Sequence, residues 1–483
     1  MSLMERIKVP HVFVLLIAVT LICSVLTYII PSGSYERKQI EVNGTQRTVL
    51  VPNTYQSIPK HYSANGAFLG ESVEGKASPV SLLQFLSAVP RGLDKSGYII
   101  FFIFIIGGVL GIIQRTGTIT AFLTLMIRKY GHLGSALIVF LMILIAFGGS
   151  TLGMGEEFIP LIPIFILVGK ELGYDRLFGL GIVVLAADVG FAAATTNPFT
   201  VAIAQGIAEL PLGNDIPFRS LFLVTTLTVS IAYLLRYGAK VKADPSASLL
   251  KEDDIDDDDA KLEEIPFTSK HSKIIAANSV IFLGILYMII QYGWYINEMA
   301  GGFMLMAFVT VALSDLSVNE ATNAFVKGME EMVVAALVVG FARAIEVVLN
   351  DAMVLDTLIY SAAGFLQNFP NYIAAQGMLV FQSTLNFLIP SGSGQAVVTM
   401  PLMAPLADVL GLSRQTAVFA FTCGDGFSNT IIPTSGVLMA YLSLAKVPYM
   451  AWLRFMLPLF LILMAISGAF LTISVLFPVV WTW

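Results

Sequence analysis

The stretch that decides the fold reads Gly-Asp-Gly-Phe-Ser-Asn-Thr-Ile-Ile-Pro at residues 424–433. It interrupts an apolar run over residues 416–445 that is long enough to cross a hydrocarbon core of about 30 Å. The first half has a matching run, residues 177–207, which Ala-Thr-Thr-Asn-Pro interrupts at 194–198. Non-helical backbone is stable at membrane depth only where it is buried in protein or lines water. Two broken spans therefore predict a polar site near the middle of a membrane.

The composition of the chain supports a membrane protein. Of 483 residues, 56% are hydrophobic and 12% are charged, and the mean hydropathy is +0.81. A soluble protein carries about twice that charged fraction, so a soluble multidomain enzyme is excluded. Four His and two Cys give no metal cluster, and no nucleotide-binding loop is found. We expect an all-α polytopic membrane protein.

The two halves of the chain repeat the same order of elements. The pattern Leu-Gly-x-x-Arg occurs at residues 172–176 and again at 410–414, and about the same shift places Asp188 at Asp425. Each half reads as a helix, an apolar pair with a polar tip, a broken span and a closing helix. The first tip is residues 148–157 and the second tip is residues 390–395. We predict a first transmembrane helix (1–31), an extracytoplasmic polar loop (32–96), a first repeat (97–235), a cytoplasmic acidic linker (236–273), scaffold helices with an amphipathic segment (274–332) and a second repeat (333–483).

Charge predicts how each half is oriented. Arg6, Lys8 and the basic residues of the central linker lie inside by the positive-inside rule. Segment 115–132 is basic, whereas its counterpart at 351–372 has no Lys or Arg, so the two should lie on opposite sides. The repeats are therefore predicted to be inverted, with a cytoplasmic N-terminus and an extracytoplasmic C-terminus. The Gly-rich polar tips favour re-entrant hairpins, although two full crossings each would give the same parity.

The candidate site residues lie at the tips and the breaks. Half-helix N-termini attract a carboxylate, and freed carbonyl groups suit a sodium ion. The substrate-binding candidates are Ser428, Asn429, Thr430, Thr196, Asn197, Ser391, Ser393, Gln395, Glu156 and Glu157. The candidates for cation coupling are Asp188, Asp425, Gly392, Gly394 and Thr195, with sodium expected at the loops of Asn197 and Asn429.

Each candidate also has a structural explanation. Small residues in membrane helices mostly allow close packing, and Glu156 and Glu157 at a tip could simply face water. Asp425 could cap a half-helix. Arg343 and Glu346 are three residues apart on one helix and could neutralise each other.

Several motifs together resemble a known family. They are Pro-Ser-Gly-Ser-Gly-Gln-Ala at 390–396, Pro-Leu-Met-Ala-Pro-Leu-Ala-Asp at 401–408, the break at 424–430, Pro-Thr-Ser-Gly at 433–436, Ile-Lys-Val-Pro-His at 7–11 and Ile-Pro-Ser-Gly at 30–33. The chain resembles the YfcC-like group of the anaerobic four-carbon dicarboxylate carrier family, in the ion-transporter superfamily. The resemblance implies an inner-membrane secondary transporter that is dimeric through scaffold helices and has an elevator-like transport domain. It also implies that Ser428, Asn429 and Thr430 hold the substrate carboxylate and coupling sodium. In the first half, Thr-Asn-Pro at 196–198 replaces Ser-Asn-Thr.

Three classes of function remain open. The favoured one is a cation-coupled carrier of a small carboxylate-bearing metabolite, with sodium or a proton as the coupling ion and no cofactor. The acidic residues near the site favour an amino acid, above all a basic one, for uptake or exchange; a four-carbon dicarboxylate is the alternative. A passive channel needs a continuous polar pore, and a membrane enzyme needs a catalytic motif, so both are disfavoured. The expected partners are the substrate, membrane lipid and a second copy of the chain, and no nucleic acid.

Overall fold

The computed structural model describes residues 12–42, 45–130, 134–197, 199–211, 213, 215–250, 265–292, 294 and 296–482. Arg6, Lys8, Pro198 and the acidic run 253–259 lie outside the described residues. The elements of the first half are α1 (Val12–Leu26), β1 (Ser32–Ser34), β2 (Arg37–Val42), β3 (Thr45–Leu50), β4 (Gln56–Ile58), α2 (Ala64–Phe68), α3 (Leu82–Lys95), α4 (Gly97–Arg115), α5 (Thr118–Tyr130), α6 (Ser135–Leu152), a 3-10 segment (Glu156–Leu161), α7 (Ile162–Glu171), α8 (Arg176–Ala192), α9 (Val201–Ile207) and α10 (Ile216–Ala243).

The second half is helical throughout the described residues apart from its turns and breaks. A short 3-10 turn, Pro245–Ala247, precedes it, and another, Pro478–Thr482, ends it. Its helices are α11 (Ser269–Tyr292), α12 (Ile296–Leu313), α13 (Val318–Glu331), α14 (Val333–Asp351), α15 (Leu355–Leu366), α16 (Asn371–Asn386), α17 (Gly392–Val409), α18 (Arg414–Ser428), α19 (Gly436–Leu444) and α20 (Tyr449–Leu476).

Six helical stretches of the described chain are long and apolar enough to cross a membrane. They are Gly97–Arg115, Ser135–Leu152, Ile216–Ala243, Ile296–Leu313, Val318–Asp351 and Tyr449–Leu476. An apolar helix satisfies its backbone hydrogen bonds internally, which is what a hydrocarbon environment requires. The prediction of a multi-pass helical membrane protein is therefore confirmed.

The polar stretch after α1 is more ordered than the sequence indicated. Strands β1 and β4 pair antiparallel, as do β2 and β3, so the fold is not helical throughout. The Ser32 hydroxyl donates to the Ala352 carbonyl at 2.6 Å, and Arg37 pairs with Asp356 at 3.0 Å. Tyr55 stacks on Tyr360 with ring centroids 4.0 Å apart. These contacts fasten the polar stretch to the turn after α14 and to α15.

Both broken spans are present, but the second break begins later than the sequence suggested. Helix α18 continues to Ser428, so residues 424–428 are helical and the break covers 429–435. Its glycines allow close packing: a Cβ atom on Gly426 would lie 2.3 Å from the Ala192 Cα. Helix α6 likewise extends into the polar segment that begins at Gly148, and it ends at Leu152. Its Gly149 packs against the backbone of α8. Small residues at these positions serve helix crossing rather than helix termination.

The helices sort into two groups by their contacts. In the first group, α14 packs on α1, α3 and α4, and α4 also packs on α12 and α13. In the second, α8 packs on α6, α7, α10 and α18, and α18 packs on α16, α17 and α20. The 3-10 segment joins the second group through α7, and α19 joins it through α7, α8 and α20. The main contacts between the groups are those of α14 with α19 and of α4 with the 3-10 segment. The breaks and tips of both halves therefore lie in one group and face the other.

Candidate functional site

A cavity of about 160 Å³ lies between the two groups of helices. The first tip, Asp188, the second tip and the second break form its wall on the side of the second group. The residues on this side are Gly153, Gly155, Glu156, Glu157, Asp188, Phe191, Phe199, Pro390, Ser391, Gly392, Ser393, Asn429, Ser435, Gly436 and Val437. The opposite wall comes from α4, α12 and α14, through Tyr98, Ile99, Ile296, Met299, Val339, Ala342 and Arg343.

The first tip is held by hydrogen bonds from two directions. Helix α6 ends at Gly153, whose φ of 70° lies in the left-handed region that glycine adopts without a steric penalty. The Gly155 amide donates to the Glu157 carboxylate at 2.8 Å. From α19, the fully buried Tyr441 hydroxyl donates to the Gly155 carbonyl at 2.7 Å. The backbone that presents Glu156 is thus fixed both by its own tip and by the second broken span.

Acidic side chains outnumber basic ones around this cavity. Among the described residues that line it, Glu156, Glu157 and Asp188 carry carboxyl groups and Arg343 carries a guanidinium group. Arg343 Nη1 donates to Glu346 Oε2 at 2.6 Å one helical turn along α14. Buried charges are costly unless they are paired. The cavity is therefore suited to a ligand that brings a positive charge.

The second tip presents a helix N-terminus to the cavity. Ser391 is the N-cap of α17, and its hydroxyl accepts a hydrogen bond from the Gly394 amide at 3.3 Å. Ser393 also lines the cavity. Gln395 is fully buried and donates to the Gln382 side chain at 2.7 Å, inside the hairpin formed by α16 and α17. Helix N-termini attract carboxylates, so this wall suits the opposite end of a zwitterion.

The second break is organised by an asparagine that the sequence analysis missed. Asn386 Nδ2, at the end of α16, lies 2.8 Å from Ser428 Oγ and 2.9 Å from Asn429 Oδ1. Asn429 lines the cavity. The hydroxyl groups of Ser428 and Thr430 instead donate to backbone carbonyls at the end of α18. Of the three predicted residues here, Asn429 faces the cavity, and its neighbours fix the loop.

The first break is tied to the end of α6. Thr195 Oγ1 lies 3.1 Å from the Ser150 hydroxyl, and the exposed Thr196 donates to a carbonyl of α6 at 3.3 Å. Asn197 is fully buried, and its Oδ1 accepts a hydrogen bond from the Phe199 amide at 2.8 Å. These three residues do not belong to the lining of the cavity.

A second polar cluster lies behind Gly392. The Asp425 carboxylate is fully buried inside α18, so it does not cap a half-helix, and both its oxygens lack a hydrogen-bond partner among the described residues. The Thr200 hydroxyl is also buried without a partner there. A Cβ atom on Gly392 would lie 3.1 Å from Asp425 Oδ2 and 2.6 Å from Thr200 Cγ2. The first break, α18 and the second tip therefore meet at a group of buried oxygens.

Arg343, Tyr441, Thr200 and Asn386 contribute to this region but were not among the sequence predictions for the site. Arg343 had a usable signal, because an ionisable residue within an apolar span is functional by default. The other three have ordinary residue types, and only the three-dimensional arrangement shows what they contact.

The chain is similar to known proteins over nearly its whole length. The family model described as "C4-dicarboxylate anaerobic carrier" (DcuC) matches residues 9–476. The Escherichia coli K12 protein named "Putative basic amino acid antiporter YfcC" is 32% identical over 476 residues, covering 93% of each chain. An uncharacterized protein of Haemophilus influenzae is 28% identical over 512 residues, covering 96% of this chain and 97% of its own.

Two solved structures are more distant. The Alcanivorax borkumensis YdaH transporter has 16% identity and a TM-score of 0.46, covering 98% of this chain and 100% of its own. MtrF of Neisseria gonorrhoeae has 15% identity and a TM-score of 0.44, covering 97% of this chain and 96% of its own. The family assignment rests on the sequence matches, which extend over nearly the whole chain. The chain therefore belongs to the family of C4-dicarboxylate anaerobic carriers, and it is a membrane carrier rather than an enzyme.

Proposed function

We propose that this chain is a cation-coupled secondary transporter of a basic amino acid. The observation that carries the proposal is the cavity between the two helix groups, where Glu156, Glu157 and Asp188 face Arg343. A basic amino acid offers an ammonium or guanidinium group to the acidic tip and a carboxylate to the N-termini of α17 and α19. The name of the Escherichia coli relative, a basic amino acid antiporter, agrees with this substrate.

A four-carbon dicarboxylate is the second candidate, and the name of the family model favours it. The N-caps Ser391 and Ser435 both line the cavity, so two helix N-termini are available for carboxylates. The three carboxyl groups of the cavity would repel the two negative charges of a dicarboxylate, since like charges close together in a desolvated site are unfavourable. A dicarboxylate therefore requires cations or protons to enter with it, whereas a basic amino acid brings its own positive charge.

We place the coupling cation at the buried oxygens behind Gly392. A carboxylate buried without a hydrogen-bond donor is stable only if it is protonated or binds a cation, because desolvation penalises its free charge. The Asp425 carboxylate and the Thr200 hydroxyl, both without partners among the described residues, supply the oxygen ligands that sodium uses. Sodium or a proton fits this position. In this proposal Gly394 shapes the second tip and Thr195 shapes the first break. Asp188 lines the cavity and faces the substrate.

The two helix groups support alternating access of the elevator type. The group that contains both tips and both breaks would carry the substrate, and the group that contains α4, α12 and α14 would stay fixed in the membrane. The halves would be inverted repeats with re-entrant hairpins. We further propose a homodimer in the inner membrane, with the N-terminus cytoplasmic and the C-terminus extracytoplasmic. A passive channel is disfavoured, because a channel needs a continuous polar pore, whereas these polar residues gather around the cavity at the tips and breaks.

A thermal-stability screen tests this function. A ligand that binds only the folded protein raises its free energy of unfolding by about 2.7 kcal/mol at one hundred times its dissociation constant. Arginine and lysine should raise the unfolding temperature of the purified protein, whereas succinate and fumarate should not, and each is measured with and without sodium. The reverse result would establish the dicarboxylate.

Asn429→Ala tests the position of the site. It should abolish uptake into proteoliposomes while leaving the protein folded, because Asn429 lines the cavity. Asn368→Ala, which removes an exposed asparagine that bonds to its own helix end, is the matched control and should transport normally. Normal uptake by Asn429→Ala would refute the site.

A further inference from the structure

Two aspartates occupy corresponding positions in the two halves of the chain. Asp188 lies near the C-terminal end of α8, and Asp425 lies near the C-terminal end of α18, so a break follows each of them. A residue with a hydroxyl group is the N-cap of the helix after each break, Thr200 for α9 and Ser435 for α19. Each half therefore supplies one carboxylate and one hydroxyl group beside its break.

Each aspartate is grouped with the hydroxyl residue of the other half and with a tip. Gly392 of the second tip lies between Asp425 and Thr200, because its Cβ atom would be 3.1 Å from Asp425 Oδ2 and 2.6 Å from Thr200 Cγ2. Asp188 and Ser435 both line the cavity, as do residues of the first tip, and α8 packs on α19. The position of Asp188 is therefore the counterpart of the proposed cation position at Asp425.

The two positions differ in the space around the carboxylate. Asp425 is fully buried, and a single methyl group on Gly392 would already overlap its neighbour Thr200, so only a small ion fits there. Asp188 is partly exposed on the wall of the cavity of about 160 Å³. A carboxylate in such a desolvated place attracts a positive charge. A cationic group that is attached to a larger molecule can reach Asp188 but not Asp425.

The neighbourhood of Asp188 also suits a carboxylate. Ser435, Gly436 and Val437, where α19 begins, line the cavity. The amide groups of the first turn of a helix have no partner within that helix, and they attract anions. The ammonium and carboxylate groups of an α-amino acid are attached to the same carbon atom, so they need partners on neighbouring elements. The packing of α8 on α19 provides such a pair of partners.

We propose that Asp188 binds the α-ammonium group of the substrate and so makes the carrier specific for α-amino acids. The proposal rests on the proposed function and assigns each charged group of the substrate to a part of the cavity. The α-ammonium group takes the place of a second metal ion at the counterpart of the cation position. The α-carboxylate group lies at the N-terminus of α19, and the side-chain cation lies at Glu156 and Glu157 of the first tip.

The binding of two related ligands tests this role. The probes are arginine and 5-guanidinopentanoate, which is arginine without its α-ammonium group, and the half-saturating concentration of each is measured from the thermal stabilisation of the purified protein. The wild type should bind arginine about ten- to one-hundred-fold more tightly, the range expected for a hydrogen bond to a charged group. Asp188→Asn, which keeps the shape of the side chain, should bring the two ligands close to equal affinity. Asp315→Asn, a matched change at an exposed aspartate, should keep the wild-type ratio.

Glu156→Gln separates the two cationic groups of arginine. It should weaken the binding of both ligands by a similar factor, because both carry the guanidinium group, and it should leave their ratio unchanged. Equal binding of both ligands by the wild type would overturn the proposal and leave arginine as the substrate. A ratio that falls in Glu156→Gln and persists in Asp188→Asn would do the same.

The two aspartates should also respond to different cations. In the absence of any amino acid, Asp188→Asn should keep the stabilisation by sodium, whereas Asp425→Asn should lose it. Loss of sodium stabilisation in Asp188→Asn alone would assign the metal ion to Asp188 and contradict the proposal.

A second pair of ligands, leucine and 4-methylpentanoate, distinguishes failure of this proposal from failure of the proposed function. These two compounds differ by the same α-ammonium group and carry no side-chain cation. If leucine binds and arginine does not, the basic substrate is wrong, and a preference for leucine that Asp188→Asn removes still supports the role of Asp188. If succinate binds and neither amino acid does, both the proposed function and the role of Asp188 are refuted.

Discussion

Gly392→Ala should eliminate the stabilisation of the protein by the coupling cation. The new methyl group would lie 2.6 Å from Thr200 Cγ2, 3.1 Å from Asp425 Oδ2 and 3.4 Å from the Phe191 ring. Carbon atoms in contact are normally about 3.5–4.0 Å apart, so the overlap with Thr200 is about 1 Å. The methyl group therefore fills the space between the two side chains that we propose bind the cation.

The magnitude has two opposing contributions. Overpacking a buried position costs about 1–3 kcal/mol. Gly392 is the first residue of α17, and replacing glycine by alanine in a helix stabilises by about 0.4–1 kcal/mol. We expect a net loss of about 1–2 kcal/mol in the absence of sodium. The larger effect is the loss of sodium stabilisation, which is about 2.7 kcal/mol for the wild type at one hundred times the dissociation constant.

The assay is thermal unfolding of purified protein over a series of sodium concentrations, with potassium keeping the ionic strength constant. The wild type should be progressively stabilised, and Gly392→Ala should show no response. Gly301→Ala is the matched control, because a Cβ atom there meets nothing within 4 Å, and it should respond like the wild type. Full sodium stabilisation of Gly392→Ala would refute the cation site. A wild type that is insensitive to sodium would refute sodium as the coupling ion.

Two further predictions concern hydrogen bonds and buried charges. Tyr441→Phe should raise the half-saturating substrate concentration by about two- to tenfold, since the Gly155 carbonyl loses its hydrogen bond from Tyr441 and keeps the one from the Phe158 amide, a cost of about 0.5–1.5 kcal/mol. Tyr233→Phe, which loses a similar bond to the Phe455 carbonyl, is the control. Equal half-saturating concentrations for Tyr441→Phe and the wild type in uptake assays would contradict the role of Tyr441. Arg219→Met should destabilise the protein by about 3–5 kcal/mol because it leaves Asp215, which is fully buried, without its ion-pair partner. Lys270→Met, in the exposed pair with Asp315, should cost at most about 1 kcal/mol in the same denaturation experiment.

The sequence predicted the kind of elements better than their ends. Both broken spans and both polar tips are present, because small polar residues inside long apolar runs are a strong signal. The second break was nevertheless placed too early, since glycines such as Gly424 and Gly426 can end a helix or allow another helix to approach. A Cβ atom on Gly424 would lie 2.6 Å from the Gln382 Cβ, which shows that helix packing uses this residue. Only the neighbouring helix distinguishes the two uses.

The predicted site residues divide into those that line the cavity and those that bond elsewhere. Glu156, Glu157, Asp188, Ser391, Gly392, Ser393 and Asn429 line one cavity. Gln395 and Asn197 instead bond within their own hairpin or loop, and Thr195 bonds to Ser150 at the end of α6. Residue type and spacing indicate which segments are polar at membrane depth. They do not show which side chain of a polar segment turns toward the cavity. Arg343 illustrates this, because its spacing from Glu346 correctly predicts their ion pair but not its position opposite Glu156.

The most direct test of the account is a transport competition in sodium-loaded and sodium-free proteoliposomes. Uptake of radiolabelled arginine is measured alone and in the presence of excess unlabelled lysine or succinate. The account predicts saturable arginine uptake that depends on the imposed sodium gradient. Excess lysine should reduce this uptake, and excess succinate should leave it unchanged. Saturable succinate uptake with no arginine uptake would contradict the basic amino acid as substrate, and a non-saturable flux of both would contradict a carrier mechanism.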